Sequence, residues 1–154
     1  MWYNWFEKYF MQIQNYLGQP THWPQPHVLV REPYEDCGPS YDPLRNLIVM
    51  PREEHVGPNA FSTIMSQFGS PRLILPAFAL AHEYQHFVQV SSGRMNYYVK
   101  DNKEYVVWEG ATYDLLDPRF ALGDENYKAY INQPWEVDAN TKAVDFCKIF
   151  NYTW

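Results

Sequence analysis

One five-residue pattern constrains this chain more than any other: His82-Glu83-Tyr84-Gln85-His86 lies inside the apolar run from Leu80 to Gln89. Residues four apart on a helix lie one above the other on the same face, so both imidazoles can point at a single position. Two histidines in this arrangement are typical zinc ligands, and Glu83 can face a zinc-bound water without binding the ion. The alternative is an amphipathic helix whose two histidines are half-buried and bind nothing. The pattern predicts a helix that carries half of a zinc site and a general base.

Composition narrows the class of protein. The 154 residues suit one domain with a substantial core, so we expect a single domain over residues 1–154. Aromatic side chains make up 18% of the chain and should dominate that core and any cleft. A net charge of −6, without a cluster of Lys or Arg, argues against a nucleic-acid partner. The two cysteines, Cys37 and Cys147, predict neither a disulfide framework nor a thiolate zinc site.

The chain shows no sign of export or of membrane insertion. Its longest apolar run, Leu73 to Ala81, is interrupted by Pro76 and is too short to cross a bilayer. The sequence from Met1 has no basic start followed by an apolar segment, so we expect no signal peptide. A soluble protein without a membrane partner is expected.

Periodicity and turn residues predict helices at both ends and short strands between them. Apolar residues spaced by three or four predict an N-terminal helix over residues 2–17, ended by Gly18. The proline-rich residues 20–58 contain two strand-like runs, His27–Arg31 and Asn46–Met50, and a turn at Tyr41-Asp42-Pro43. Further elements follow in chain order: a short helix over residues 60–68, the motif helix from Ser70-Pro71 or from Pro76 to about Ser91, a hairpin of Asn96–Val99 and Tyr105–Trp108 around Asp101-Asn102, and a last helix from Pro134 to about Phe150.

The third zinc ligand is the open question, because a catalytic site normally has three protein ligands and one position for water. The acidic candidates after the motif are Glu109, Glu136 and Asp138. Glu109 follows a predicted strand and precedes Gly110, which disfavours a helical position. Glu136 begins the last helix, although a glutamate there can equally serve free backbone amides and the helix dipole. The residues alone rank Glu136 above Glu109 and leave both open.

The last helix has a second feature that favours Glu136. Glu136, Asn140, Ala143 and Cys147 fall on one stripe, so small or polar residues line the side that would approach the motif helix. Asn140, one turn after Glu136, is a candidate to hydrogen-bond a ligand histidine and fix its orientation. The remaining histidines, His22, His27 and His55, are more typical of ordinary surface or hydrogen-bonded positions.

The chain resembles the gluzincin metallopeptidases, in particular small single-domain members and zincin-like proteins of bacteria and their phages. Four elements carry the resemblance and span most of residues 41–147: the His82–His86 motif with Gln89, the strand Asn46–Met50, the turn Trp108-Glu109-Gly110 and the segment Pro134–Ala139. The resemblance implies an α+β fold with an N-terminal helix, a small twisted sheet with an edge strand, the motif helix and a C-terminal glutamate helix.

The resemblance also implies roles for individual residues. It maps the third ligand of a Zn²⁺ ion to Glu136, beside His82 and His86. It makes the strand of Asn46, Leu47, Ile48, Val49 and Met50 the edge against which a peptide lies. The sequence departs from the family at Asn140, where an aspartate is common, and no oxyanion-stabilising residue can be assigned.

Two functions follow as expectations. The first is a zinc metallopeptidase in which Glu83 takes a proton from the zinc-bound water and passes it to the leaving amine of a peptide or protein substrate. The second is a zincin-like structural or interaction protein, such as a phage particle component, with a zinc site, a protein assembly partner and little or no catalysis. Glu83 favours the enzyme, because a scaffold has no need of it. The expected location is the cytoplasm or a phage particle.

Overall fold

The computed structural model describes residues 4–18, 22–31, 39–51, 73–115 and 132–153. These ranges form a mixed α+β structure with three helices and two sheets of three strands each. None of the helices within them is long and apolar enough to span a membrane. The helix predicted over residues 60–68, the alternative start at Ser70-Pro71, Cys37 and His55 all lie outside the described residues. In chain order the elements are α1 (Asn4–Leu17), β1 (His27–Arg31), β2 (Ser40–Asp42), β3 (Leu47–Pro51), α2 (Leu75–Ser91), β4 (Met95–Lys100), β5 (Lys103–Trp108), β6 (Ala111–Asp114) and α3 (Pro134–Ile149).

Helix α2, which carries the histidine motif, is the central element of the fold. Every residue from Ala77 to Gln85 is buried. A helix that is largely apolar around its circumference is stable only when other elements surround it, and α2 packs against α1, α3 and strands of both sheets. Pro76 lies in the first turn, where its missing N–H has no intrahelical partner to lose. The start at Pro76 is therefore confirmed.

Helix α3 lies along α2 through the predicted stripe of small and polar residues. Ala139, Ala143 and Cys147 are completely buried, and Glu136 and Asn140 are 5% and 1% exposed. Small side chains at an interface let two helices approach closely. The first two turns of α3 therefore bring Glu136 and Asn140 within reach of side chains on α2.

Helix α1 covers another side of α2 and confirms the predicted N-terminal helix. Its residue Ile13 is completely buried, and the ring of Phe10 meets the ring of Tyr84 edge-on at a centroid distance of 5.6 Å. Gly18 follows the helix with a φ of 95°, a conformation that favours glycine. The Tyr84 hydroxyl donates to the Gly18 carbonyl oxygen at 2.9 Å, which ties the end of α1 to the middle of α2.

The first sheet corrects the prediction that Asn46–Met50 is an edge strand. The strand begins at Leu47 and lies in the middle, in the order β1-β3-β2, with β1 parallel and β2 antiparallel to it. Its Ile48 and Met50 side chains are completely buried. Because both edges of β3 are already paired, no peptide can add to it. Strand β2, which the sequence indicated only as the approach to a turn, is the outer strand on that side of the described sheet.

The second sheet is an antiparallel meander of β4, β5 and β6. The predicted hairpin is confirmed, with Asp101 and Asn102 at φ angles of 54° and 62° in its turn. Strand β6 was not predicted, and it follows a second tight turn at Glu109 and Gly110, with φ angles of 48° and 86°. Positive φ at both central residues matches the twist of adjacent strands in a two-residue hairpin.

Candidate metal centre

His82 and His86 lie one turn apart on α2 and face Glu136 in the first turn of α3. The Nε2 atoms of the two imidazoles are 3.1 Å apart. The Glu136 carboxylate lies across from both, with Oε2 at 3.0 Å from His82 Nε2 and Oε1 at 3.2 Å from His86 Nε2. Within the described ranges, these three residues are a group that could hold a metal ion.

The spacing of these atoms suits a small tetrahedral cation. An ion bound at about 2.0–2.1 Å by nitrogen and oxygen ligands separates neighbouring ligand atoms by roughly 3.3 Å. The 3.1 Å separation of the two Nε2 atoms needs to change by only a few tenths of an ångström, and each Glu136 oxygen lies at a matching distance from one of them, 3.0 Å from His82 Nε2 for Oε2 and 3.2 Å from His86 Nε2 for Oε1. Two imidazole nitrogens and one carboxylate are donors that suit zinc and several other divalent metals. The geometry fits a metal and does not identify it.

Each histidine has a hydrogen-bond partner on its second ring nitrogen. The Nδ1 atom of His82 lies 2.7 Å from Asn140 Oδ1, and the Nδ1 atom of His86 lies 2.9 Å from Gln89 Oε1. An amide oxygen only accepts, so both Nδ1 atoms must carry the proton and donate. A neutral imidazole with its proton on Nδ1 has a lone pair on Nε2, which is the atom that faces the proposed ion. Asn140 was predicted for this role, whereas no role was predicted for Gln89.

Glu83 lies beside the three converging residues and not among them. Its Oε1 is 3.9 Å from His82 Nε2, farther than either oxygen of Glu136 is from its histidine. Burial raises the pKa of Glu83, against the lowering effect of the nearby imidazoles and of a hydrogen bond from the Tyr41 backbone N–H. The carboxylate is thus close enough to exchange a proton with a molecule in the centre, and its raised pKa suits a group that holds that proton for a time.

The charges of the centre are strongly coupled. Burial opposes ionisation of Glu136, but His86 and His82 outweigh it and lower the pKa of that carboxyl. Burial also disfavours the charged form of His86, but Glu136 outweighs it, and together with Glu83 and Gln89 raises the pKa of the imidazole to about 9. The carboxylates therefore make the centre attractive to positive charge, whether a proton or a metal cation supplies it.

A cleft of about 200 Å³ opens onto the centre. One wall is strand β2 with the residues that flank it, and the other comes from the two helices and the start of β4. Apart from Glu83, His86 and Glu136, the lining is mostly apolar or neutral. Its residues are Pro39, Ser40, Tyr41, Pro43, Glu83, His86, Val90, Met95, Trp135 and Glu136.

The other candidate ligands lie elsewhere. Glu109 is in the β5–β6 turn, where its side chain is 55% exposed and accepts from Arg94 at 2.9 Å. His22 and His27 are exposed residues outside the centre. Asp138 is close to the centre but accepts from glutamine side chains of α2, and these bonds and Arg94 outweigh burial and lower its pKa.

Two contributors to the centre were not predicted from the sequence, and one of them, Gln89, had a signal there. Gln89 lies three residues after His86, on the same helix face, so a contact between them follows from helical spacing. Tyr41 contributes through its backbone, which residue type does not reveal.

No protein-family model matches this chain, and neither do the curated proteins and solved structures with which it was compared.

Proposed function

We propose that this protein is a zinc-dependent peptidase. The observation that carries the proposal is the convergence of His82 Nε2, His86 Nε2 and the Glu136 carboxylate within 3.0–3.2 Å of one another, at the end of a cleft. The gluzincin-like pattern of the sequence supports the same function, with zinc as the metal. Burial and the two Nδ1 hydrogen bonds support a site that is ready for a cation and needs little rearrangement.

The residues of the chain would share the chemistry as follows. When bound, zinc supplies Lewis acidity, which acidifies a water molecule and polarises a carbonyl group. Glu83 would accept the proton of the attacking water on its carboxylate and donate it to the leaving amine. Its raised pKa supports this double role, because the protonated carboxyl must persist until the amine departs. Asn140 and Gln89 would hold the two imidazoles in place during turnover.

The substrate would lie along β2 and not along β3. Strand β2 pairs with β3 on one side only among the described strands, and Ser40 and Tyr41 line the cleft. An extended peptide can add to a free strand edge through main-chain hydrogen bonds. The backbone N–H of Tyr41 donates to Glu83, so this edge lies beside the centre and a peptide on it would reach the cleft.

The competing hypothesis is a zincin-like structural or interaction protein. Several large apolar side chains are exposed, which suits an assembly surface. Leu44 is 87% exposed, Met11 66% and Val99 59%. Single exposed apolar residues are nevertheless common on soluble proteins. This hypothesis keeps the cation site but gives Glu83 no task, so Glu83 is the residue that separates the two.

Glu83→Gln is the decisive variant. The protein is first purified without added metal and its zinc content measured, with about one equivalent per chain expected. Wild type, Glu83→Gln and a chelated sample are then incubated with an unfolded-protein mixture, and new peptide termini are counted by mass spectrometry. Glu7→Gln, an equivalent change at an exposed position of α1, is the control.

The enzyme hypothesis predicts cleavage by wild type and Glu7→Gln alone. Removal of a general base costs on the order of 10²–10⁴ in rate, while zinc content should be retained. Wild type that holds zinc and is as inert as Glu83→Gln would favour the structural protein. A variant that cleaves as fast as wild type would remove Glu83 from the mechanism.

A further inference from the structure

Asp138 is the meeting point of three side chains, two from α2 and one from the residue before β4. Its Oδ2 accepts from Gln85 Nε2 at 2.9 Å and from Gln89 Nε2 at 2.9 Å. The Arg94 guanidinium, just before β4, contacts the same carboxylate at 3.4 Å through both terminal nitrogens. A carboxylate whose oxygens accept from two amides and a cation has little freedom to turn.

Two acceptors, one of them Asp138, determine how the Gln89 side chain is oriented. Its Nε2 faces two acceptors, the Trp135 carbonyl oxygen at 2.9 Å and Asp138 Oδ2. An amide nitrogen only donates, so this end of the amide is fixed, and Oε1 must point the other way, toward His86 Nδ1. If the amide were turned over, its oxygen would face two acceptors and its nitrogen would face the imidazole. Gln89 is completely buried, so water cannot compensate for such a reversal.

The orientation of Gln89 in turn determines which nitrogen of His86 is free. With Oε1 at Nδ1, a neutral imidazole must carry its proton on Nδ1 and keep the Nε2 lone pair for a cation. With a reversed amide, Nδ1 would have to accept, and the proton of a neutral imidazole would move to Nε2. A proton at Nε2 is incompatible with a metal ligand.

We propose that Asp138 is a positioning residue for the metal centre, which acts on His86 through Gln89. The inference rests on the ligand role proposed for His86, and it adds a carboxylate that touches neither the ion nor any ligand. Arg94 would hold Asp138 in turn, since its guanidinium also binds Glu109 at 2.9 Å and lies over the Trp108 ring at 4.7 Å from the centroid. The β4–β6 sheet is thereby connected to a ligand on α2.

The test is Asp138→Asn, which keeps the size of the side chain. One oxygen becomes an NH₂ group, which must face either the two glutamine amides or the Arg94 guanidinium, and both arrangements weaken the hold on Gln89. Loss of such an outer contact typically lowers metal affinity by about 10–100-fold. Zinc affinity is measured by competition with a chromogenic chelator, with Asp145→Asn at an exposed position of α3 as the control.

A second variant separates positioning from packing. Gln85→Met removes another hydrogen bond to Asp138 but leaves the Gln89–His86 pair intact. Its zinc affinity should stay within about threefold of wild type, since outer-contact losses of 10–100-fold belong to residues that orient a ligand. Equal weakening by Gln85→Met and Asp138→Asn would overturn the inference and assign the effect to contact between α2 and α3.

The spectroscopic readout is the Nδ1–H proton of each histidine in the zinc-loaded protein, followed by ¹⁵N-edited NMR. Asp138→Asn should shift or broaden the His86 signal and leave that of His82 unchanged, because Asn140 holds His82 independently. Unchanged affinity and an unchanged His86 signal would refute the role of Asp138. Failure of wild type to bind zinc would instead refute the proposed function, so the two failures are distinguishable.

Discussion

The α2–α3 pair and the β4–β6 sheet differ in where they place their polar side chains: the helix pair buries many of them, and the sheet exposes most of them. The helix pair buries six polar or charged side chains and gives them polar partners, mostly on the same two helices: His82, Glu83, Gln85, Gln89, Glu136 and Asn140. In the sheet, the buried residues are Val106 and Trp108, and most polar side chains face solvent. Buried polar groups cost stability unless they are satisfied. A buried polar cluster of this kind therefore indicates a functional site, whereas the composition of the sheet is typical of an element that supports the fold.

The two regions meet at two points. Trp135, the residue before Glu136, packs in a small core with Val106 and Trp108 of β5. Arg94 binds Asp138 on the helix side and Glu109 on the sheet side. The sheet thus buttresses the start of α3, where the carboxylate of the centre lies. We therefore expect changes in the helix pair to alter metal affinity strongly, and changes in the sheet to alter mainly the free energy of unfolding.

The largest effect is expected from Glu136→Gln. This change removes the negative charge and one of the two carboxylate oxygens that face the histidines. Loss of an outer contact lowers metal affinity by up to about 100-fold, so loss of a ligand charge should lower zinc affinity by more than about 100-fold. Glu109→Gln is the matched control in the sheet and should leave affinity within about threefold. Chelator competition measures both. The reverse ranking would show that the third ligand lies in the sheet region.

The pH dependence of metal binding should be nearly as large. In metal-free protein the raised pKa of His86, about 9, means that a proton occupies the imidazole until the pH approaches that value. Zinc must displace this proton, so its affinity should rise by about tenfold per pH unit between pH 7 and 8.5. Chelator competition across this range gives the slope, and a flat profile would contradict the coupling.

The proton on His86 also affects the stability of the metal-free protein, which should fall as the pH rises, whereas zinc affinity increases. A folded-state pKa above the unfolded value stabilises metal-free protein fully below about pH 6.5, and this contribution disappears as the pH rises through about 9. Thermal unfolding of the metal-free protein should therefore shift to lower temperature over that window. In Glu136→Gln, which lacks the carboxylate mainly responsible for the shift, the window should move down.

Asn140→Ala tests the helix pair one step away from the ligands. The variant leaves His82 Nδ1–H without the acceptor at 2.7 Å, and zinc affinity should fall by about 10–100-fold. Asn140→Asp restores an acceptor of the same size and should retain affinity near the wild-type value. The zinc affinities of wild type, Asn140→Ala and Asn140→Asp are measured by chelator competition. Equal losses in both variants would mean that Asn140 acts through helix packing and not through the imidazole.

The sequence predicted the helix pair well because its signals are local. The spacing of His82 and His86 follows from one helix turn, and the stripe of Glu136 and Asn140 follows from the same geometry on α3. Neither pattern says that the two stripes face each other. The family resemblance predicted that contact and strengthened the choice of Glu136 over Glu109, which spacing alone had left open.

The sheets were predicted less well because strand order depends on partners distant in sequence. Leu47–Pro51 is almost continuously apolar, which is typical of a strand in the interior of a sheet whose two faces are both covered. That signal was available and speaks against the edge position assigned to it. Strand β2 has only the three residues Ser40–Asp42 between Pro39 and Pro43, too few for any periodicity. Its role next to Glu83 depends on pairing with β3, which no local pattern encodes.

The smallest effect is expected from Gly110→Ala in the β5–β6 turn. Gly110 has a φ of 86°, and a Cβ there would meet no atom within 4 Å, so the substitution introduces backbone strain without a clash. Such strain costs roughly 1 kcal/mol, which lowers the unfolding temperature by about 2–4 °C for a domain of this size. Zinc affinity should remain at the wild-type value, because the turn is connected to the centre through the exposed pair of Arg94 and Glu109, which contacts no proposed ligand. Circular dichroism and chelator competition give the two quantities, and Thr112→Ala, an exposed change on β6, serves as the control. If Gly110→Ala lowers the free energy of zinc binding by more than it lowers the free energy of unfolding, the sheet sets the geometry of the centre directly. The division between a functional helix pair and a supporting sheet would then be wrong.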